Sequence, residues 1–453
     1  MGKITLEQAA QWCGGRIDPK YKDITFFGAC NDTRNIQQGQ MFVALQGIRD
    51  GHDFIPAALE KGAAAVLCTH CDGDYPAIVV EDTRLALGQI AQHERQRIGM
   101  KVVGVTGSVG KSTTKEMIAC VLKSQYRVSK TPVNHNNDIG MPMAILAMPE
   151  DTQVAVLEMG MTHFREISYL TEIANPDVAV IVNIGTMHME HLGSMEGILQ
   201  AKLEILEGLK PGGPVVLNGD DSLLWGLHSR SDVNSFYFGS QNPECHVKGV
   251  MLEEGVDSLQ FGVESEKERF TVNLALSGQH YISDALAAIS VGLLLNIPTE
   301  DIRRNLECFE NMEGRQEILR TEQYTIIKDC YNAGPESMAA ALSVLGKQKG
   351  RRIAVLGDML ELGVCTTAEH YKVGRVAAEN ADLLFAYGPN GKRVLHGALT
   401  GGMDAGAIMA FENQEALVKA LKRRAKAGDV LLFKGSHGMH MEHALEMFLK
   451  KED

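Results

Sequence analysis

The sequence predicts an α/β protein of three domains, and three observations carry that reading. Short apolar runs alternate with stretches of helical periodicity, the pattern that builds parallel sheets covered by helices. One such run breaks directly into a glycine-rich turn ahead of an amphipathic helix. The chain has 453 residues, more than one ordinary core holds.

Residues 1–83 open with a helical stretch, Leu6–Cys13, and a turn at Asp32-Thr33-Arg34. A strand over Gln40–Leu45, a helix over Ile55–Lys61 and strands Ala64–Leu67 and Ala77–Val80 follow. Together they make a small N-terminal α/β domain. Residues 84–310 begin with a helix, Arg84–Gln96, and carry apolar strands at Val154–Leu157, Val178–Val182 and Val215–Leu217, hence a parallel sheet. Residues 235–276 alternate short strands with glycine and acidic turns and read as an antiparallel edge layer. Helices over Ser283–Leu295 and Thr299–Phe309 close this block. Residues 311–453 repeat the βα logic with strands Thr325–Ile327, Ile353–Leu356, Leu383–Ala386 and Val430–Phe433, a Rossmann-like C-terminal domain. Those strands lead into Asp329, Asp358, Tyr387 and Lys434. Ligands of an open parallel sheet lie outside such carboxyl ends, so the four termini jointly suggest one crevice. Taken singly, each also reads as an ordinary polar loop residue.

The glycine-rich turn is the strongest chemical signal. Lys101–Val105 is a buried strand, Thr106, Gly107, Ser108 and Gly110 form the loop, and Lys111, Ser112 and Thr113 open the helix. Glycines let backbone N–H groups converge on anionic oxygens, Lys111 adds a point charge and Ser112 offers a hydroxyl to Mg²⁺. Strict spacing would put a glycine at Val105; Gly104 lies one residue earlier. Met117, Ile118, Val121 and Leu122 share one helix face, as an amphipathic helix requires. The central block is therefore a P-loop ATPase-like domain.

Composition excludes several classes. The net charge is −13 and no basic stripe stands out, which argues against nucleic acid. No apolar run reaches the ~20 residues of a membrane span, and the opening Met-Gly-Lys-Ile-Thr-Leu-Glu-Gln lacks an apolar signal core. Nine cysteines without regular spacing fit reduced thiols, so a cytoplasmic protein is expected. Cys68-Thr-His-Cys71 has no matching second pair and reads as incidental.

Glu158 ends a strand beside the phosphate loop, where a carboxylate can hold Mg²⁺ directly or through water. His188 follows the next strand; a lone histidine there is most often structural. Lys202 falls in a helical run over Gly197–Leu206 and by itself reads as a solvated-face residue. Met-His-Met-Glu-His occurs at 187–191 and again at 439–443 without zinc-hydrolase spacing. The echo reads as coincidence, with an adventitious metal site as the alternative.

Taken together, these residues resemble the muramyl peptide ligases of cell-wall synthesis over essentially the whole chain. The matching pieces in the first block are Asp32-Thr33-Arg34, Phe42-Val-Ala-Leu45 and Asp50-Gly-His52. In the second they are Thr106–Ser112, Asn134-His-Asn-Asn137, Ile139-Gly140, Glu158-Met-Gly160, Asn183–His188, Gly193-Ser194 and Ala201-Lys202. The third supplies Gly314-Arg315, Asp329-Cys-Tyr-Asn332, Gly357–Gly363 and Lys434-Gly-Ser436, the last two being most specific to the dipeptide-adding branch.

The resemblance implies roles. Thr106, Gly107, Ser108, Gly110, Lys111, Ser112 and Thr113 would cradle ATP, with Lys111 on its β/γ-phosphates. Ser112 and Glu158 would hold one Mg²⁺ and His188 a second. Lys202 would be carbamylated, since a carbamate is an anionic oxygen ligand whereas an ammonium repels the cation. His280, Arg315 and Asp329 would reach the nucleotide, completing the site on domain closure. Asp32, Thr33, Arg34, Asn137, Tyr331, Asn332, Asp358 and Lys434 would bind substrates, the UDP part lying on the first domain. Lys111, Lys202 and His188 would be catalytic. The implied reaction forms an acyl phosphate on a UDP-linked muramyl tripeptide, which the amine of D-alanyl-D-alanine then attacks. A monomer is expected. Tyr281 and Asp284 replace the asparagines usual in the adenine region, Gly334 replaces an asparagine, and His437 stands where an arginine often follows Lys-Gly-Ser. Rival readings are another stem-peptide or polyglutamate ligase, and a catalytically weak nucleotide-binding homologue.

Overall fold

Period-two alternation of apolar side chains sets up the central sheet. Along the strand Lys101–Thr106, Val102 enters the core on one face while Val103 and Val105 enter the core on the other. The computed structural model describes residues 2–266 and 268–450. In it nine strands lie in the order Val128–Lys130, Val154–Glu158, Lys101–Thr106, Val178–Ile181, Val215–Asn218, Ser235–Gly239, Val247–Glu254, Leu259–Ser265 and Arg269–Leu274. The first seven run parallel, Leu259–Ser265 pairs antiparallel with the seventh, and Arg269–Leu274 pairs antiparallel with Leu259–Ser265.

The antiparallel edge layer expected over residues 235–276 is therefore formed only in part, by the pairings of Leu259–Ser265. Ser235–Gly239 and Val247–Glu254 extend the parallel sheet, and only the following hairpin reverses. The link between them resembles a hairpin turn in sequence. Asp220 redirects it, accepting from the backbone N–H groups of Ser240, Gln241 and Asn242 at 2.6, 2.9 and 2.8 Å.

The first sheet is parallel, in the order Ala29–Cys30, Met41–Val43, Ala65–Cys68 and Ala77–Val79. Helix Thr83–Ile98 follows, capped by Asp82 on the N–H groups of Arg84 and Leu85 and ended by Gly99 at φ 71°. Its buried Leu87 and Ile90 belong to one apolar core. That core runs from Leu6, Met41 and Leu67 to Val102, Leu157 and Ile181. The first sheet and one face of the central sheet are therefore packed together without a seam.

The third sheet is ordered Glu317–Arg320, Thr325–Asp329, Val430–Lys434, Arg352–Gly357, Leu383–Tyr387 and Ile408–Phe411. All neighbours but the first pair are parallel, and each face has its own apolar core. Strands at Val128–Lys130, Glu317–Arg320 and Ile408–Phe411 were not expected. Each carries half-buried rather than fully apolar side chains, so its periodicity is faint. Helix His280–Leu294 begins three residues before the expected Ser283 and packs on the phosphate-loop helix Lys111–Leu122. Among the described residues no helix is long and apolar enough to cross a membrane.

Candidate active site

The chain leaves the strand Lys101–Thr106 toward one side of the sheet and later returns on the other. Its neighbours are Val154–Glu158 and Val178–Ile181, with Val105 beside Glu158 and Thr106 beside Ile181. This is a topological switch point, where an open sheet leaves a crevice at its strand ends. Asn183, just beyond the second neighbour, braces the loop. Its Oδ1 accepts from the N–H groups of Ser108 and Val109 at 3.1 and 2.9 Å, and its Nδ2 donates to the Val109 carbonyl at 2.9 Å. Ser108 Oγ donates to the Gly185 carbonyl at 3.1 Å and accepts from Gly185 N–H at 2.8 Å.

Gly110 caps the helix Lys111–Leu122 with φ 84° and no side-chain acceptor, leaving its first N–H groups to an anion. A Cβ there would meet Asp284 Oδ1 at 2.5 Å. Gly104 has a different purpose from the loop glycines. It lies inside the strand, and a Cβ would press on Met159 and Pro176 at 3.1 Å, so close packing explains the off-pattern spacing. Lys111 curls over its own loop, donating to the carbonyls of Gly107 and Ser108 at 2.7 and 3.3 Å. Burial, helped by Arg315, holds its pKa below the ordinary lysine value against the pull of Glu158.

Glu158 is 2% exposed. Its Oε1 accepts from Asn136 Nδ2 at 2.9 Å, while Oε2 has no hydrogen-bond partner among the described residues. The fully buried Lys115 stands 3.7 Å from Oε2 and donates to the Thr131 carbonyl at 2.8 Å. Burial alone would raise the Glu158 carboxyl; Lys111, Lys115, Asn136 and Ser112 together bring it below its ordinary value. A buried ionised carboxylate with a bare oxygen is a cation seat.

Lys202 is 2% exposed on the helix Met195–Leu203, which corrects the solvated-face reading. Burial, then the Lys111 charge, pushes its pKa well below the ordinary value. Helical spacing alone does not tell which face a neighbouring domain covers. His188 caps a short helix in the left-handed region, φ 63°, and its Nδ1 bonds Glu361 Oε2 of the third domain at 2.6 Å. The echoed His440 does the same at φ 50° ahead of helix Met441–Leu449. The repeat thus marks a shared local conformation. Among the described residues no group of three or more His, Cys, Asp or Glu side chains is arranged to hold a metal, and Cys68 and Cys71 are free thiols.

The opposite wall comes from the third domain. Arg315 lies over the Tyr331 ring, 3.8 Å from its centroid, and donates to Ser112 Oγ at 2.9 Å. Lys434 donates to Asp329 Oδ2 at 2.7 Å and to the Asn332 carbonyl at 2.9 Å. Glu336 reaches back across the gap, accepting from Thr186 N–H at 3.2 Å. Between the walls lies a crevice of about 460 Å³.

Ser108, Gly110, Lys111, Ser112, Thr113, Asn137, Glu158, His188, His280, Arg315, Asp329, Tyr331, Asn332 and Lys434 all line it. Thr106 and Gly107 lead into the loop from below. The expected convergence of four strand ends reduces to two, Asp329 and Lys434. Asp358 is buried, with its carboxylate taken by the backbone and side-chain nitrogens of Asn390 at 3.1 and 2.6 Å, and Tyr387 is on the next strand outward. The reason is strand order: Val430–Lys434 inserts beside Thr325–Asp329 and displaces the other two from the crevice. Asp32, Thr33 and Arg34 stand apart on the first domain. Arg34 pairs with Asp32 at 2.7 Å and lowers its carboxyl to about 2.

Sequence reasoning missed Lys115 and Glu336 and gave no role to Asn136 and Glu361, which lie inside the motifs Asn134–Asn137 and Gly357–Gly363. Lys115 gave a signal: it shares the buried side of an amphipathic helix. At the departures, Tyr281 is buried and its hydroxyl accepts from Asn311 at 2.7 Å. Asp284 accepts from Thr114 Oγ1 at 2.9 Å, and burial raises its carboxyl to about 7. His280 is lowered by burial to about 4 and is neutral at physiological pH. A side chain at Gly334 would meet Met187 Cγ at 2.9 Å.

Residues 24–95 match the description Mur ligase family, catalytic domain; 105–292 match Mur ligase middle domain; and 314–437 match Mur ligase, glutamate ligase domain. The chain is 40% identical to the UDP-N-acetylmuramoyl-tripeptide–D-alanyl-D-alanine ligase of Bacillus subtilis, covering 98% of each chain. It is 33% identical to the enzyme of that name from Escherichia coli, again over 98% of both. A crystal structure of MurF from Acinetobacter baumannii superposes with a TM-score of 0.90 at 31% identity over both whole chains. MurF from Thermotoga maritima in complex with ADP gives 0.81 at 30%, covering 93% and 97%. The chain belongs to the Mur ligase family.

Proposed function

We propose that this Mur ligase is an ATP-dependent amide ligase that joins D-alanyl-D-alanine to the terminal carboxylate of UDP-N-acetylmuramoyl-tripeptide in peptidoglycan precursor synthesis. The observation that carries it is the crevice itself: a P-loop with buried Glu158 on one wall faces Arg315, Asp329 and Lys434 on the other, with Lys202 buried near Lys111 rather than on the lining. The MurF of Thermotoga maritima binds ADP, which supports ATP as the phosphoryl donor.

Mg²⁺ fits the residues present, because Glu158 Oε2 is a bare buried anionic oxygen and Ser112 Oγ lies beside that carboxylate. Ser112 and Glu158 would hold one ion and His188 a second, with a carbamylated Lys202 serving that second ion or the acyl phosphate; the chemistry of both is to neutralise phosphate charge. A neutral amine is what adds to carbon dioxide, and the depressed pKa of Lys202 keeps that form accessible.

The loop N–H groups and Lys111 position the γ-phosphoryl group and stabilise charge on it. A tripeptide carboxylate oxygen bonds to γ-phosphorus as the bond to the ADP oxygen breaks, giving an acyl phosphate. The dipeptide amine then bonds to the carbonyl carbon, loses a proton, and phosphate leaves as the amide forms. Arg315, anchored on Tyr331, brings its charge to the phosphate side only when the third domain is in place. Asp32, Thr33, Arg34 and Asn137 bind the acceptor; Tyr331, Asn332, Asp358 and Lys434 serve the dipeptide side, Asp358 through the loop it fixes rather than by contact.

Phosphate release measured across a panel of acceptors and amines tests the assignment. Release is expected only with UDP-muramyl tripeptide and D-alanyl-D-alanine together. Equal turnover with glutamate or a lone amino acid, and none with the dipeptide, would sink it.

A further inference from the structure

His188 and Glu361 belong to different domains, yet both adopt left-handed backbone, φ 63° and 61°, where they meet. Such conformations are uncommon outside glycine and persist only where the surroundings hold them. Here the surroundings are each other. Glu190 N–H faces the Glu361 carbonyl at 3.4 Å, and Gly363, at φ 51°, lets that backbone approach so closely that a Cβ would meet Glu190 Cα at 2.9 Å. The segments 187–190 and 361–363 dock main chain on main chain.

This docking delivers a carboxylate to one ring nitrogen. Glu361 Oε2 sits 2.6 Å from His188 Nδ1, with the imidazole 17% exposed and the carboxylate 46%. A carboxylate only accepts, so Nδ1 carries the proton. The lone pair of the neutral ring is then fixed on Nε2, while His188 lines the crevice. Carboxylate–histidine pairs of this kind set tautomer and ring orientation at metal sites.

We propose that Glu361 is a positioning residue: docking of the third domain makes it accept a hydrogen bond from His188 Nδ1–H, and so presents Nε2 as the ligand atom. Completion of the metal site is thereby tied to domain docking through one side chain, and the loop 361–363 acts on chemistry it does not touch. This rests on the reading of His188 as a metal ligand.

The test uses the full chain with ¹⁵N-labelled histidine, metal-free, at a pH well above the imidazole range, with His188→Gln to assign the signal. The wild type is expected to show His188 protonated at Nδ1. Glu361→Ala is expected to shift it mainly to the Nε2–H form, whereas Glu361→Gln, which retains an acceptor oxygen, keeps Nδ1–H. The Mg²⁺ concentration for half-maximal phosphate release should rise about 10–100-fold in Glu361→Ala and less in Glu361→Gln. An unchanged tautomer in Glu361→Ala overturns the proposal, whatever the activity. A shifted tautomer with an unmoved Mg²⁺ requirement supports the positioning and removes instead the metal-ligand reading of His188.

Discussion

The two walls of the crevice are built on opposite principles. The central wall is assembled within one sheet: the loop is pinned by Asn183 and Gly185, and Glu158 is backed by Lys115 and Asn136. The third-domain wall arrives across a gap and is held by polar contacts that include Arg315 to Ser112, Glu336 to Thr186, Glu361 to His188 and Lys347 to Glu254. Phosphate chemistry needs donors fixed before the ligand comes, and the first wall supplies that. Amide formation needs two substrates to enter and a product to leave, and the second wall can give way for them.

The sharpest way to break this contrast is Lys202→Ala. If the central wall carries the charge balance of phosphoryl transfer, turnover should fall about 10²–10³-fold. Short-chain carboxylates should restore part of it by standing in for the carbamate. An unchanged phosphate-release rate would remove Lys202 from the chemistry.

Within the second wall, the Lys434–Asp329 pair is the rigid exception, with side chains only 2% and 10% exposed. Lys434→Ala strands a buried carboxylate, which costs about 3 kcal/mol. Urea unfolding should show that loss in the third domain. Equal destabilisation of every probe, or none, would contradict its local origin.

A smaller effect sharpens the first wall. Asp284 has its folded-state carboxyl raised to about 7 by burial, above the value near 3.9 of an unfolded chain. Both states are protonated below the lower value, so no penalty exists there. The penalty grows as pH rises between the two and is complete above about 7. Asp284→Asn removes it, so the variant should gain stability at pH 8 and almost nothing at pH 4. Melting temperatures across that range decide it; a pH-independent gain points to packing rather than ionisation.

The same contrast explains what could be read from the chain. The phosphate loop and Glu158 were legible because their signals are local: a strand, a turn, a helix start and the end of an adjoining strand. The buried setting of Lys202 was not, since a lysine at helical spacing says nothing about what covers it. Asp358 and Tyr387 were placed at the crevice on strand-end logic, but strand order depends on long-range pairing and put Val430–Lys434 in between. Glu361 and Glu336 meet partners more than 100 residues away, and no local pattern announces such contacts.

The unbroken apolar core from Leu6 through Leu87 to Val102 has a mechanical meaning. Two sheets that share their greasy interior cannot hinge against each other without tearing it open. The acceptor platform and the nucleotide cradle are therefore one lever arm, and the C-terminal sheet, with its private cores, is the other. On this view a protein divided in three by its sheets moves in two parts.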